Sequence, residues 1–154
     1  MLDIKPCLWF HSEAEEAANF YVSLVPNSSI GSVMRGAPGS PAIGVEFVLD
    51  GQRFLALDGR RENGFTDAHS YMLTCETQAE LDRYWVELTS GGEEGRCGWA
   101  KDRFGVSWQI VPRTMGALLG GSDRAASGRA MQAMMGMRKL DIAALERART
   151  EGAT

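Results

Sequence analysis

Few side chains in this chain of 154 residues have the chemistry of a catalytic group. The histidines and cysteines are His11, His69, Cys7, Cys75 and Cys97. His11 directly precedes a predicted helix start, a position typical of a helix end and not of a catalytic base. The cysteines have neither zinc-site nor Cys-x-x-Cys spacing, and their odd number favours reduced thiols over a disulfide scaffold. A Gly-x-Ser-x-Gly nucleophile motif is missing as well.

The strongest local pattern lies in segment 98–112, GWAKDRFGVSWQIVP. It predicts two short strands that meet at a tight turn at Phe104-Gly105. After the turn, the side chains alternate between two faces of the strand. Val106, Trp108 and Ile110 belong to one face, and Ser107, Gln109 and Val111 belong to the other. One face of the second strand is therefore apolar, and the other face carries a single amide, Gln109.

The elements that position this hairpin occur twice along the chain. Strands are predicted at 4–10, 30–34, 45–49 and 54–57, then at 70–75 and within 98–112, with Asp50-Gly51 as a hairpin turn. A helix follows the first strand of each half, and its start carries a capping box, formed by Ser12 with Glu15 and by Thr77 with Glu80. The pattern predicts two βαβββ modules, 1–58 and 69–113, which are joined by a linker at 59–68 into one domain spanning 1–113.

The tail, 114–154, is predicted to be a helical extension, with a helical turn at 115–119 and one helix over 130–149. Met131, Met134 and Met135 share a face of that helix, a pattern typical of packing against the body of the protein or against a twin subunit. Open sheet edges and this apolar face favour a homodimer.

The composition excludes several functional classes. A formal net charge of −4 argues against a phosphate-binding surface, so nucleic acid is not an expected partner. No apolar run has the length of a membrane span, and the first residues do not resemble a signal peptide. The expected location is the cytoplasm.

Five segments resemble a known family: FYVSLVPNS, VEFVLDGQRFLALDG, CETQAELDRYWVELTSGG, CGWAKDRFGVSWQIVP and AMMGMRKLDIAALERA. They resemble the PhnB-like branch of the vicinal oxygen chelate superfamily, which includes glyoxalase I, extradiol dioxygenases, and bleomycin and fosfomycin resistance proteins. The resemblance implies an α+β fold whose paired modules form a half-open curved sheet around a small ligand. Members often carry the label 3-demethylubiquinone-9 3-methyltransferase, but the sequence has no Gly-rich strand–turn–helix to support it.

The resemblance also implies where a metal would bind, on the first and last strands of each module. Those positions fall on Lys5, Leu55, Ser70 and Gln109, which do not make a set of ligands for a divalent cation. No metal or other cofactor is therefore expected. A divalent metal stays open as an alternative, because His69 lies one residue from Ser70 and a one-residue slip in register would turn it towards the ligand.

Side-chain parity along the strands gives the candidate ligand-binding residues. They are Lys5, Trp9, Arg53, Leu55, Ser70, Met72 and Gln109, with Cys7 and His69 as further candidates. Trp9 would stack on the ligand, and Lys5 or Arg53 would meet an anionic group, whereas Trp108 would face the helices.

Three functions are consistent with these residues. The sequence favours a metal-independent protein that binds a small molecule in a cup-shaped pocket. An enzyme is the alternative, a lyase, isomerase or oxygenase using a non-standard metal or Lys5, His69 or Cys7, although no catalytic residue is assigned. The third is an interaction module that dimerises through the tail helix.

Overall fold

The computed structural model describes residues 2–59 and 64–151, and its contacts divide the chain into two compact units, Met1–Gly64 and Phe65–Thr154. The first unit contains β1 (Cys7–Phe10), α1 (Ala14–Leu24), β2 (Ser29–Arg35), β3 (Ala42–Leu49) and β4 (Gln52–Asp58). The second contains β5 (Tyr71–Cys75), α2 (Gln78–Thr89), β6 (Glu93–Glu94), β7 (Trp99–Lys101) and β8 (Ser107–Pro112), followed by α3 (Met115–Leu119), α4 (Arg124–Met135) and α5 (Ile142–Thr150). This confirms the predicted α+β class, with two βαβββ modules and a helical tail.

The two sheets have the same topology. The strand order is β1-β4-β3-β2 in the first unit and β5-β8-β7-β6 in the second. In each sheet the first strand of the module pairs in parallel with the last, and the other pairs are antiparallel. The internal repeat predicted from the sequence is therefore a repeat of strand pairing.

In the first unit, α1 covers one face of the sheet. Its small and apolar residues are buried, namely Ala14, Ala17, Ala18, Tyr21 and Leu24. The buried sheet residues opposite are Leu8, Phe10, Val45, Phe47, Phe54 and Ala56. Asp50 and Gly51 both have positive φ, 44° and 84°, and this conformation suits the twist of the β3–β4 hairpin. The other face of this sheet carries the side chains that alternate with the core residues.

The helix α1 does not begin as the sequence predicts. Its N-cap position is Glu13, with no side-chain cap, and Ser12 forms no capping box with Glu15. The backbone N–H of Ala14 donates instead to Asp58 Oδ1, 2.8 Å away on β4. The acceptor for the helix start is thus supplied by a residue distant in sequence, which a local motif could not indicate.

In the second unit, α2 packs on the apolar face of β5 and β8. The buried residues at this interface include Leu81, Trp85, Leu88, Trp108 and Ile110. Here the Thr77 half of the predicted capping box is confirmed, because the N–H of Glu80 donates to Thr77 Oγ1 at 3.2 Å. The Glu80 carboxylate accepts from the N–H of Glu76, one residue before the N-cap. The position of Trp108 under the helix, 2% exposed, is also as predicted.

The prediction of one helix over 130–149 is wrong, because the structure has two helices there. α4 ends at Met135 with Gly136 as its C-cap, and α5 begins after Asp141, whose side chain accepts from the N–H of Ala144 at 2.8 Å. A glycine followed by an aspartate N-cap separates the two helices.

The tail is attached to the second module through backbone and amide hydrogen bonds. The N–H groups of Cys97 and Gly98 donate to the carbonyl oxygens of Met137 and Arg138 at 2.9 and 2.8 Å. The Gln78 amide on α2 contacts both the Leu140 carbonyl and the Ile142 N–H. The assignment of 1–113 as one domain with a separate extension stays a prediction, and residues 60–63 of the predicted linker lie outside the described residues.

Within the part of the chain that the structure describes, no helix combines the length and the apolar character that a membrane span requires.

Candidate functional site

A pocket of about 470 Å³ lies within the second unit, over the sheet face that α2 leaves uncovered. Its floor and walls are formed by Met72, Thr74, Cys97, Trp99, Gln109, Val111, Pro112, Arg113, Met115, Gly116, Leu119 and Met134. The lining is mostly apolar and rich in methionine. Such a concave, largely apolar surface with a few polar points is typical of a small-ligand site.

The floor of the pocket is a row of side chains that crosses three strands. Gln109 on β8 pairs directly with Met72 on β5 and with Trp99 on β7. Direct cross-strand partners project from the same face of a sheet, so the amide lies between a thioether and an indole. Two of these three residues, Met72 and Gln109, are predicted from the sequence.

The Gln109 amide has a fixed orientation. Its Nε2 donates to Ser70 Oγ at 2.9 Å, which brings the third predicted residue of this unit to the same site. Among the described residues, no side chain donates a hydrogen bond to Gln109 Oε1. The amide therefore keeps its Oε1 acceptor and one N–H, and the Thr74 hydroxyl on the same sheet face is a second polar point.

One wall of the pocket is made by the tail. Met115, Gly116 and Leu119 from α3 and Met134 from α4 all line it. Arg113, at the end of β8, also lines the pocket, and its guanidinium forms an ion pair with Glu76. The tail is thus part of the candidate site as well as an attached extension.

Trp99 is held by the short connection between β6 and β7. The N–H of Gly95 donates to the Trp99 carbonyl at 2.8 Å, and the N–H of Trp99 donates to the Arg96 carbonyl at 3.0 Å. Cys97 and Gly98 both have positive φ, 56° and 83°. The Cys97 thiol donates to the Met134 carbonyl at 3.6 Å and lies 3.9 Å from Met135 Sδ.

The open sheet face of the first unit carries a cluster of charges. Lys5 Nζ forms an ion pair with Glu46, and Arg53 forms one with Asp3 at 2.9 Å and a longer one with Glu46 at 3.9 Å. Hydrogen bonds from Lys5 and Ser32, together with the positive charge of Lys5, lower the pKa of Glu46. The two cations predicted to meet an anionic ligand are therefore already paired with carboxylates of this chain.

The other predicted residues of the first unit lie on the same face. Cys7 pairs with Leu55, and Trp9 pairs with Leu57. Trp9 is 51% exposed, and its indole lies against Gly59, so closely that a Cβ there would be 2.8 Å from Nε1. Partial desolvation raises the pKa of the Cys7 thiol, although the residue is exposed, so less of it is the reactive thiolate at neutral pH.

His69 is not brought to the pocket. It is exposed, and its ring meets the edge of Tyr71 at a centroid distance of 5.0 Å. Tyr71 shares a face of β5 with Cys75, the face turned towards α2, whereas Met72 and Thr74 face the pocket.

The four positions at which the family implies a metal do not fit one. Lys5 is a cation paired with Glu46, Leu55 has no donor atom, and Ser70 and Gln109 bond to each other. Among the described residues, no group of three or more His, Cys, Asp or Glu side chains is arranged to hold a metal ion. These residues therefore give no basis for a reaction step that runs through a divalent cation.

Several residues at these two faces are missing from the sequence prediction. Glu46 lies in the middle of the apolar strand AIGVEFVL. A carboxylate within an apolar strand is a sequence feature that could have identified Glu46 as a candidate. Trp99 lies in the predicted hairpin, opposite Gln109. Met134 belongs to the methionine face predicted on the tail helix, although the pattern did not indicate a pocket. Met115 and Leu119 had no comparable signal, because only the packing of the tail brings them to the pocket.

Among solved structures, two with TM-scores of 0.60 or more share this architecture. A PhnB protein from Bacillus cereus, described as a 3-demethylubiquinone-9 3-methyltransferase, is 35% identical, with a TM-score of 0.66 over 72% of this chain and 99% of its own. PA1353 from Pseudomonas aeruginosa is 22% identical, with a TM-score of 0.60 over 72% of this chain and 96% of its own. FosX, a fosfomycin resistance protein from Mesorhizobium loti, is 13% identical, with a TM-score of 0.49 over 70% and 91%. No curated protein sequence is similar enough to count as a match.

The repeated βαβββ topology is a glyoxalase-like fold, and the family match and the Bacillus relative place this chain in the vicinal oxygen chelate superfamily. Within that superfamily it belongs to the PhnB-like family, whose model is described as 3-demethylubiquinone-9 3-methyltransferase and matches residues 2–111. The match stops before α3, so it does not include the tail segment AMMGMRKLDIAALERA. The tail residues that line the pocket lie outside the part of the chain that the family model describes.

Proposed function

We propose that this chain is a metal-independent binding protein for a small, mostly apolar molecule, and that the molecule binds in the pocket of the second unit. The observation that carries the proposal is the pocket of about 470 Å³, which has an apolar lining and an oriented amide at its floor. Its volume is within the range of known small-molecule sites, roughly 300 to 1,000 Å³. The first unit is a weaker candidate, because Lys5 and Arg53 are paired with Glu46 and Asp3.

Methyl transfer, the activity in the description of the Bacillus relative, has no support in the local structure. A nucleotide-like cofactor is usually held where a strand runs through a Gly-rich turn into a helix. The strand-to-helix connections described here are residues 11–13, 76–77 and 113–114, and none contains a glycine. We therefore assign binding and not methyl transfer.

The test uses a pocket-filling variant and a matched control. Gly116 lines the pocket, and no atom lies within 4 Å of the position that a Cβ would take, so Gly116→Phe places a ring in open space. Gly128 on α4 is exposed, away from the pocket and equally open. We would measure binding of a panel of neutral monocyclic and bicyclic aromatic fragments by ligand-observed NMR, with and without a chelator.

The expected result is that fragments bind the unmodified protein and the Gly128→Phe protein equally, and bind Gly116→Phe at least about tenfold more weakly. Chelation is expected to change nothing. Fragments that bind Gly116→Phe as well as the unmodified protein would place the site elsewhere. A panel with no binder, or binding that disappears with the chelator, would contradict the proposal.

Alkylation of Cys97 gives an independent measure of occupancy. Cys97 lines the pocket, whereas Cys7 is exposed on the other unit. A bound fragment is expected to slow the reaction of Cys97 with iodoacetamide and to leave the rate at Cys7 unchanged, as followed by peptide mass spectrometry. Equal slowing at both residues would show that the fragment does not act through the pocket.

A further inference from the structure

We infer that the pocket selects an uncharged, flat aromatic ring that carries one hydrogen-bond donor, with the ring on Trp99 and the donor on Gln109 Oε1. This inference rests on the proposed function, because it names the class of ligand for the same pocket. It is drawn from the charge, shape and hydrogen-bonding capacity of the lining.

The lining has one charged group, and that group is already paired within the chain. Arg113 is the one charged residue among those that line the pocket, and its guanidinium is paired with Glu76. A charged ligand would lose its hydration on entering the pocket and would find no unpaired opposite charge there. A neutral molecule does not meet this cost.

The shape of the floor favours a flat ring. Trp99 presents an indole beside Gln109, and its ring stacks on no other described aromatic side chain. Met72, Met115 and Met134 surround the same space, and thioether sulfurs make favourable contacts with aromatic rings. Stacking on an indole and sulfur contacts both stabilise an aromatic ligand more than an aliphatic one of equal area.

The donor on the ligand follows from the orientation of Gln109. Ser70 uses one of the two N–H groups of Nε2, whereas Oε1 accepts from no described side chain, so the end of the amide with no partner among them is the oxygen. The register places this oxygen on the same sheet face as the Trp99 indole, one strand away. A ring that lies on Trp99 and carries an N–H or O–H at its edge satisfies both residues at once.

Indole and benzofuran are the probes that test this. They share a size and a flat bicyclic shape, but the oxygen of benzofuran replaces the N–H of indole. We would measure the two dissociation constants by NMR titration for the unmodified protein, Gln109→Met and Thr74→Val. Gln109→Met keeps the side-chain length and removes the amide, and Thr74→Val removes the neighbouring hydroxyl.

The expected result is that indole binds about tenfold more tightly than benzofuran, the size expected for one hydrogen bond. The preference should disappear in Gln109→Met and persist in Thr74→Val, and Trp99→Leu should weaken both probes alike. Equal binding of the two probes, tighter binding of benzofuran, or a preference that depends on Thr74 would overturn the inference. Failure of both indole and benzofuran to bind, while other fragments of the panel still bind the protein, would also overturn the inference. In these cases the proposed function stands, whereas a panel with no binder removes both.

Discussion

At the scale of single residues, Asp102 is the buried carboxylate that holds the turn between β7 and β8. It is 3% exposed, and its Oδ1 accepts from the N–H groups of Phe104 and Val106 at 2.9 and 3.0 Å. Its Oδ2 accepts from Trp108 Nε1 at 2.8 Å. One side chain thus closes the turn and fixes the indole under α2, so the aspartate is a structural part of the KDRFGVSW segment.

Replacing Asp102 by alanine takes the acceptor away from three N–H groups in a buried place. We expect Asp102→Ala to lower the free energy of unfolding by about 3 kcal/mol, as measured by urea denaturation. Asp102→Asn keeps one acceptor oxygen and should lose less. A loss below about 1 kcal/mol for the alanine variant would show that this carboxylate does not hold the turn.

The charge cluster on the first unit predicts a pH dependence. The pKa of Glu46 lies below its ordinary value of 4.5, chiefly because Lys5 hydrogen-bonds to it. The folded state therefore binds this proton less readily than the unfolded state does. The resulting stability is complete above the ordinary pKa and is lost as the pH falls through the lowered one.

We therefore expect Lys5→Met to lower the melting temperature at neutral pH and to reduce the part of the acid-induced loss below about pH 5 that comes from Glu46. Arg53→Met is the control, because Arg53 is more exposed and lies farther from Glu46, at 3.9 Å. Parallel melting curves for the unmodified and Lys5→Met proteins across this range would contradict the assignment.

At the scale of elements, the two capping boxes show what the sequence can and cannot predict. The start of α2 is determined locally by Thr77 and Glu80, and the Thr77 half of the predicted box is confirmed. The start of α1 has the same motif, but Asp58 supplies the acceptor from the neighbouring strand β4. A tertiary contact replaces the local one, and no pattern within the helix reports it.

Whether a residue is placed by local sequence or by tertiary packing also decides which pocket residues the sequence predicts. Ser70, Met72 and Gln109 follow from the alternation of strand residues and from the pairing of β5 with β8. The tail wall depends on how α3 and α4 pack on the sheet, which periodicity does not determine. The break between α4 and α5 did have a local signal, the Gly136 and Asp141 pair, that the helical composition obscured.

The connection between β6 and β7 positions Trp99 and attaches the tail, so a change there should affect both. Gly98 has φ of 83°, and a Cβ would be 2.7 Å from the Ile110 carbonyl oxygen and 3.0 Å from Leu140 Cδ1. We expect Gly98→Ala to cost about 2 kcal/mol or more of stability and to weaken fragment binding.

Gly128→Ala is the matched control for this change. Gly128 is an exposed helical glycine with open space around it, so alanine should stabilise the protein by about 0.5–1 kcal/mol. Both variants would be measured by urea denaturation and by fragment titration. A Gly98→Ala protein as stable as the unmodified one would mean that the backbone there adapts, and that the connection does not fix Trp99.

At the scale of the whole molecule, the tail has two roles, in the packing of the second unit and in the wall of the pocket. Leu118, Ala126, Ala130, Leu140 and Leu145 are buried, so the tail has a core of its own within the second unit. The same segment supplies one wall of the pocket. Because the match to the family model ends at residue 111, the tail gives this chain a pocket wall outside the matched part.

The outer surface of α4 leads to the last prediction. Met131 and Met135 lie four residues apart on one helix face and are 42% and 56% exposed. We propose that this face contributes to a homodimer, because paired exposed methionines are more stable when they are covered by a partner surface.

The double variant Met131→Glu/Met135→Glu is therefore expected to be monomeric under conditions in which the unmodified protein is a dimer, as measured by light scattering after size-exclusion chromatography. Gln132→Glu, which adds a charge to the next position of the helix, should leave the dimer intact. A monomeric unmodified protein would contradict the proposal, and a dimer that persists in the double variant would exclude this face of α4 from the interface.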